Sequence, residues 1–325
     1  MTGGSRRPAR LPDSGAKDAP LDRAALRAHL VASRIAGDIA TPREENLRNA
    51  GRMAEGLEHY AFGLAPLRPW TRAEVVAVMV ERCGLVADPA YVRGPDTIDP
   101  DLTLDQLERW RKRLSLAAVR RERVLVATGH PTGVMAIHLQ VVAALRAGGA
   151  TVLLPETDWT WPWDDERGQS SWAPSRQSPT GRSRQSPTGR SRQSPTGRSE
   201  QSPTGRSRAR HIRAINGVHV LASGGELLHT HSPEPMQALL GALSRPPDLV
   251  VGDHGWAGAA VEAGIEALAF ADSNDPALFV AEHEGKPVLT VPLDDNVQPS
   301  LYDPLSAYVT HWPASEHDRA TAQIA

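Results

Sequence analysis

Val124-Leu125-Val126-Ala127-Thr128-Gly129-His130-Pro131-Thr132-Gly133 decides the fold of this chain. Four apolar residues run into a small polar turn punctuated by two glycines and a proline. An amphipathic run from Val134 to Leu145 follows, closes at Gly148-Gly149, and leads into a second apolar segment, Thr151 to Leu154. Strand, loop, helix and strand in that order predict a βαβ unit of a parallel sheet. A loop between the carboxyl end of a strand and the amino end of a helix is where α/β proteins hold anions and small ligands. Pro131 or the residues just after it are placed to open the helix, and Gly129 and Gly133 would let a ligand approach the backbone. The spacing fits neither the P-loop nor the G-x-G-x-x-G fingerprint, so no nucleotide is implied.

The pattern recurs downstream. Leu249-Val250-Val251-Gly252-Asp253-His254-Gly255 leads into an Ala- and Gly-rich helical run closed by Gly264. Strands from Ile265 to Ala271 and from Pro287 to Leu293 end in Asp272-Ser273-Asn274-Asp275-Pro276 and Asp294-Asp295-Asn296. Asp275 and Pro276 read as a helix cap and first helical position. Asn216-Gly217 predicts a hairpin turn. Upstream, Thr41…Glu44, Thr71…Glu74 and Thr103…Gln106 have the form of capping boxes, in which a Thr hydroxyl and an acid or amide three residues on satisfy the free backbone donors of a helix start. Trp159, Trp161 and Trp163, at period two, suggest an aromatic flap or strand edge.

Residues 177–208 hold four copies of an eight-residue unit, Gln-Ser-Pro-Thr-Gly-Arg-Ser followed by Arg or Glu. The unit has no apolar residue, so it cannot build a solenoid core and reads as a disordered insert. The insert also explains the charge balance. The chain has 36 basic and 38 acidic residues, but 176–210 carries nine arginines and one glutamate, leaving a body with 27 basic and 37 acidic side chains. An acidic body argues against a nucleic-acid-binding core. The single cysteine, Cys83, excludes an internal disulfide framework and reads as a buried thiol. No apolar run approaches the ~20 residues of a membrane span, and the first residues lack the apolar core of a signal peptide. A cytoplasmic location is expected.

The expected fold is therefore α/β: a Rossmann-like three-layer core with a mostly parallel sheet, an N-terminal helical side layer and a long disordered insert. Residues 1–20 read as a tail, 21–121 as a helical region packed on the core, 122–165 and 210–312 as the core, 166–209 as the insert and 313–325 as a flexible tail.

If the strands are parallel neighbours, their polar ends converge on one edge. Thr128, Gly129, Thr132 and Gly133 would then face a substrate anion, with His229, His231, Ser232 and Asn274 beside them. Carboxylates next to small polar residues suit a hard divalent cation, Mg2+ or Mn2+, on Asp253, Asp272 and Asp294. Asp253, His254 and His130 are the candidate catalytic residues, a histidine being suited to protonate a leaving group. His229-x-His231 would put two imidazoles on one face of a strand, as a metal-ligand pair or as a polar hairpin face.

Thr128-Gly129-His130-Pro131-Thr132-Gly133, His229-Thr230-His231-Ser232-Pro233, Asp253 to Ala260 and Asn274-Asp275-Pro276-Ala277-Leu278 resemble an actinobacterial family generally labelled "phosphatase". The resemblance covers about 21–165 and 210–310 and leaves out the repeat insert. It implies a hydrolase acting on phosphomonoesters of small metabolites. None of the nucleophile signatures of the haloacid-dehalogenase, histidine or cysteine phosphatases is present. Two alternatives stay open: a lyase, isomerase or cyclase acting on a small carboxylate, and a non-catalytic metabolite-binding protein. The expected partners are a small-molecule substrate and further copies of the chain, with no nucleic acid at the core and no membrane.

Overall fold

The computed structural model describes residues 20–161 and 209–312. Most of the repeat insert, residues 1–19 of the expected N-terminal tail, the C-terminal tail and Trp163 lie outside the described residues. The elements are α1 (Arg23–Ala32), β1 (Gly37–Pro42), α2 (Arg43–Ala54), α3 (Glu58–Ala61), α4 (Arg72–Arg82), β2 (Pro95–Ile98), α5 (Pro100–Val119), β3 (Arg123–Thr128), α6 (Met135–Ala147), β4 (Thr151–Val152) and β5 (Thr160–Trp161). After the insert come β6 (Arg210–Ile215), β7 (Val218–Ser223), β8 (Glu226–Leu228), α7 (Glu234–Gly241), β9 (Leu249–Asp253), α8 (His254–Glu262), β10 (Ala267–Ala271), α9 (Pro276–His283), β11 (Val288–Pro292), a 3-10 turn (Pro299–Tyr302) and α10 (Asp303–Thr310).

The main sheet runs β11-β10-β9-β3-β7-β6-β5, with β4 on β3 and β8 on β7. The strands from β11 to β7 are mutually parallel, while β5, β6 and β8 add an antiparallel edge. Val124, Leu125, Val126 and Ala127 of β3 are fully buried, because helices cover both faces and a parallel strand must be apolar on each. Helices α5, α6 and α10 lie against one another on one face, and α7, α8 and α9 lie on the other. The crossover from β3 through α6 leads to one side of β3. Those through α8 and α9 lead to the other. The crevice between β3 and β9 is therefore the topological switch point, the usual ligand site of such folds. This is a Rossmann-like three-layer α/β fold with one contiguous core from Leu26 to Val309. No described helix is long and apolar enough to cross a membrane.

The N-terminal region supplies helices and also a small antiparallel sheet, β1-β2, that lies on the carboxyl ends of the main strands. Asp294 N donates to Ile35 O at 2.9 Å, and Thr41 Oγ1 donates to Asp272 Oδ2 at 3.2 Å. That bond replaces the expected cap. Helix α2 starts at Arg43 behind Pro42, with no side-chain cap bond. Thr71 and Glu74 do form a capping box. Thr103 does not, because Asp99 and Pro100 start α5 four residues earlier, Asp99 accepting from Asp101 N at 2.8 Å. Thr103 is then interior and donates to Pro292 O at 2.8 Å. Helix α6 likewise begins at Met135, not at Pro131, because Gly133 N and Val134 N both fold back onto His130 O at 3.2 Å. The Asn216-Gly217 turn joins β6 to β7 as expected, both residues having positive φ, 49° and 105°.

One buried ion pair anchors α2. Arg43 and Asp96 are 1% and 0% exposed, with Nη1 and Oδ2 3.1 Å apart. Asp96 also accepts from Asn46 Nδ2 and from the backbone N–H groups of Val86 and Thr97, each at 2.9 Å. Helix α2 is thereby set against the strand ends, where Asn46 Oδ1 accepts from Ser273 Oγ at 3.2 Å and Asn49 Nδ2 donates to Asn274 O at 3.0 Å.

Candidate functional site

The site begins where β3 and β9 end. Asp253, the last residue of β9, is buried, and its side chain does not cap α8. It accepts from Thr128 Oγ1 and from Gly129 N, the latter at 2.6 Å, and its Oδ1 lies 3.0 Å from His254 Nδ1. Burial opposes its charge, but His254, His138 and the Thr128 hydroxyl hold its carboxyl down at about 2. Asp253 is thus an internal carboxylate that locks the β3 loop and fixes one ring nitrogen of His254.

His254 is the hub. It opens α8 with φ 44°, a left-handed conformation that non-glycine residues rarely adopt. Its Nε2 lies 3.1 Å from Asp275 Oδ2 and 3.6 Å from Asp295 Oδ2. Burial works against a proton on this ring, yet Asp275 and Asp253 raise its pKa well above the ordinary histidine value. Asp275 therefore aims its carboxylate at His254 instead of capping α9, which has no side-chain cap bond.

Four further imidazoles surround it. His130 stacks on His229 at 4.4 Å and holds Asp295 Oδ2 3.0 Å from its Nδ1. His231 stacks on His254 at 4.5 Å, and His59, from α3, stacks on His231 at 4.4 Å. His229 and His231 follow β8 in a loop, not on one strand face, and their Nε2 atoms are 3.1 Å apart. Desolvation of its ring by the packed neighbours, with His254 and His130 close by, pushes His229 down to about 3 although the residue is exposed at its outer edge, and burial with the adjacent imidazoles holds His231 well below the ordinary histidine value. Both shifts favour the neutral ring that metal ligation requires, whereas the carboxylates around His254 favour a proton there that a bound ion would displace. Two nitrogens each about 2.1 Å from one ion in neighbouring coordination positions are about 3 Å apart, which matches the observed separation.

Two groups have ligand atoms close enough to hold a metal ion: His130, His229 and His254, and His231, His254 and Asp275. Both contain His254, and neither contains Asp253, Asp272 or Asp294. Asp272 accepts from Ser273 N and Thr41 Oγ1, and burial with the nearby Asp294, Asp295 and Asp275 raises its pKa well above the carboxylate range. Asp294 accepts from Ala40 N and Asn296 N. These two acids tie the β10 and β11 ends to the N-terminal region.

The β3 loop is a clamp more than an open anion cradle. Four of its backbone donors have partners within the protein: Gly129 N on Asp253, His130 N on Thr128 Oγ1, and Gly133 N and Val134 N on His130 O. Thr132 is exposed, Ser232 and Asn274 are half-buried, and Asn274 contributes its carbonyl to Asn49. Gly129 and Gly255 admit backbone in place of a ligand. A Cβ on Gly129 would lie 2.3 Å from Thr230 O, and one on Gly255 would lie 2.1 Å from His231 O. Close approach at these two points, with Thr230 N donating to Gly129 O at 2.9 Å, seats the His229–His231 loop. Gly255→Ala is expected to lower stability by about 1–3 kcal/mol, the usual cost of overpacking. Gly241→Ala, whose Cβ meets nothing within 4 Å, should be neutral or stabilising. Urea unfolding of both variants checks this; equal midpoints would mean that the loop yields freely.

Asp275, Asp295 and His59 complete the arrangement and are not among the sequence-derived site residues. Asp275 is hidden by its cap-like Asp-Pro context, and Asp295 reads as one more acid of a solvated loop. His59 is a lone histidine in a short helix, with no local signal at all.

Fold and site together define a doubly wound α/β protein with a histidine-carboxylate cluster at its switch point. A family model described as Phosphatase matches residues 21–173 and 189–314. The chain is 42% identical over 294 residues to "Phosphatase SCO2771" of Streptomyces coelicolor (strain ATCC BAA-471 / A3(2) / M145), a match covering 88% of this chain and 94% of that protein. The chain belongs to this Phosphatase family, as the four sequence motifs implied.

Proposed function

We propose that the protein is a metal-dependent phosphomonoester hydrolase acting on a small phosphorylated metabolite. The observation that carries this reading is the pair of metal-competent groups that share His254 at the switch point, His130–His229–His254 and His231–His254–Asp275, in a chain whose family and relative are both described as phosphatases. The donor set fits a metal. The Nε2 atoms of His229 and His231 meet at 3.1 Å, close enough for one neutral ring to donate to the other or, with that proton displaced, for both to face an ion. Three imidazoles in one group, and two imidazoles with a carboxylate in the other, suit Mn2+ or Zn2+ better than Mg2+, which prefers oxygen ligands.

When bound, such an ion supplies Lewis-acid polarisation of a phosphoryl oxygen and a more acidic bound water. The protein's own residues supply orientation. Asp253, itself held by Thr128 and Gly129, fixes His254 through Nδ1 and leaves Nε2 toward the cluster. Asp295 does the same for His130, whose Nε2 is then the free ring atom. Carboxylate-histidine pairs of this kind set ring orientation and raise ligand basicity. Phe62 packs edge-on against His231 and His254, with centroids 5.1 and 5.4 Å away, and keeps water from one side of both rings.

The test is phosphate release from p-nitrophenyl phosphate and a panel of sugar and polyol phosphates, with Mn2+, Zn2+ or Mg2+ and after chelation. Chelation is expected to abolish release and Mn2+ or Zn2+ to restore it. It should also lower the melting temperature, since an ion at about a hundred times its Kd adds about 2.7 kcal/mol of stability. Release that persists in chelator removes the metal from the reading. No release with any ion removes the hydrolase and leaves a carboxylate-directed enzyme or a metabolite-binding protein.

A further inference from the structure

A second feature lies beside the cluster. Between α2 and the start of α4 is a groove of about 620 Å³ lined by Arg48, Arg52 and Arg72 with one acid, Glu55, and by Gly51 and Trp70. The volume is within the ~300–1,000 Å³ of small-molecule sites. Arg48 has Glu45 at 3.4 Å. Arg52 and Arg72 have no carboxylate partner among the described residues, although the body as a whole is acidic. Arginines on a helix are often merely solvated, but Arg52 is held in place. Its Nη1 donates to Tyr60 Oη and its guanidinium lies 5.1 Å from the Tyr60 ring. Arg72 is laid over Gly51, where a Cβ would meet its Cδ at 3.3 Å. Planar guanidinium groups held in place recognise phosphate and carboxylate oxygens by paired hydrogen bonds.

The groove is joined to the cluster. Tyr60, which holds Arg52, contacts the His59 ring at 4.9 Å, and His59 stacks on His231 at 4.4 Å. The contacts Arg52–Tyr60–His59–His231 thus put the cationic groove two side chains from the histidine cluster. A positive patch on an acidic body also concentrates anions locally.

We propose that the Arg48–Arg52–Arg72 groove binds a second anionic group of the substrate, so that the preferred substrates are doubly anionic: bisphosphates, or phosphomonoesters that also carry a carboxylate. This rests on the phosphatase reading of the neighbouring cluster. It predicts that the enzyme discriminates by charge at the far end of the substrate.

Two arms test it. In the first, kcat/KM is measured for α,ω-alkanediol bisphosphates of increasing length and for the matching monophosphates, with wild type and with the double variant Arg52→Gln, Arg72→Gln. Wild type is expected to prefer a bisphosphate of fitting length by about tenfold or more, the scale of a charge-assisted pair. The double variant is expected to reduce that ratio to near one. Equal use of the two series by wild type, or an unchanged ratio in the variant, overturns the proposal. In the second arm, pyrophosphate is titrated calorimetrically into chelator-treated protein, where the histidine cluster has no ion to offer. Binding that the double substitution removes supports the groove, and binding that survives it, or no binding at all, overturns it. Failure to hydrolyse p-nitrophenyl phosphate under any condition would instead sink the phosphatase reading, and the calorimetric arm would still decide whether the groove takes anions.

Discussion

His254→Asn is expected to lower kcat/KM for phosphate release by about 10³-fold, well beyond the ~10–100-fold cost of losing an outer-sphere partner. Asparagine is the informative substitution because of the backbone. Residue 254 has φ 44°, where alanine pays about 1–2 kcal/mol of left-handed strain and asparagine is tolerated. The variant removes the imidazole shared by both metal-competent groups while keeping a residue that the turn accepts. Bound metal should fall in parallel, measured by atomic emission on protein purified with Mn2+ or Zn2+. Asp253→Asn is the comparison. Its carboxylate is buried behind the ring with its oxygens on Thr128, Gly129 and His254, so its loss should cost only the outer-sphere amount. If Asp253→Asn proves the more damaging of the two in metal content as well as in turnover, the centre does not lie at His254.

Asp96→Ala is expected to destabilise the fold by about 3–5 kcal/mol, because removing one member of a buried ion pair leaves the other charged and unpaired. Arg43 is 1% exposed and would keep only its Nε bond to Tyr91 O, at 3.1 Å. Three more donors, from Asn46, Val86 and Thr97, lose their acceptor. The double replacement Arg43→Met, Asp96→Leu should cost less than Asp96→Ala alone, since an apolar pair leaves no orphan charge. Urea unfolding of wild type and both variants measures this, and a double variant no better than the single would show that the pair is not the source of the loss. The effect should reach the site. Asn46 and Asn49 brace Ser273 and Asn274, next to Asp275, so Asp96→Ala should also weaken metal binding.

The strands at the heart of the fold were readable because parallel strands covered on both faces leave a local signature, a short unbroken apolar run ending in polar residues. Val124 to Thr128 and Leu249 to Asp253 both show it. Their ends also located Thr128, His130, Asp253 and His254. The capping boxes show where such local reading stops. Thr71 behaves as its spacing implies, but Asp99-Pro100 outcompetes Thr103, and Asp272 takes the Thr41 hydroxyl. In each failure a second partner, nearby in sequence or distant, offers the same backbone or hydroxyl group a better bond.

The amino-acid order alone determined that the chain is α/β, that polar groups gather at one sheet edge, and which motifs tie it to its family. These follow from interactions between residues a few positions apart. Only the tertiary structure decided what each polar group does. His59 reaches the cluster from a helix some 170 residues before His231, and Asp275 turns from helix cap to partner of His254. The three acids expected on a metal lie outside both metal-competent groups, Asp253 beside a histidine and Asp272 and Asp294 against the N-terminal region. The reason is physical. A carboxylate or imidazole takes its role from whichever donor or charge lies within about 4 Å in a low-dielectric interior, and at the switch point nearly all of those neighbours are set by the packing of distant segments.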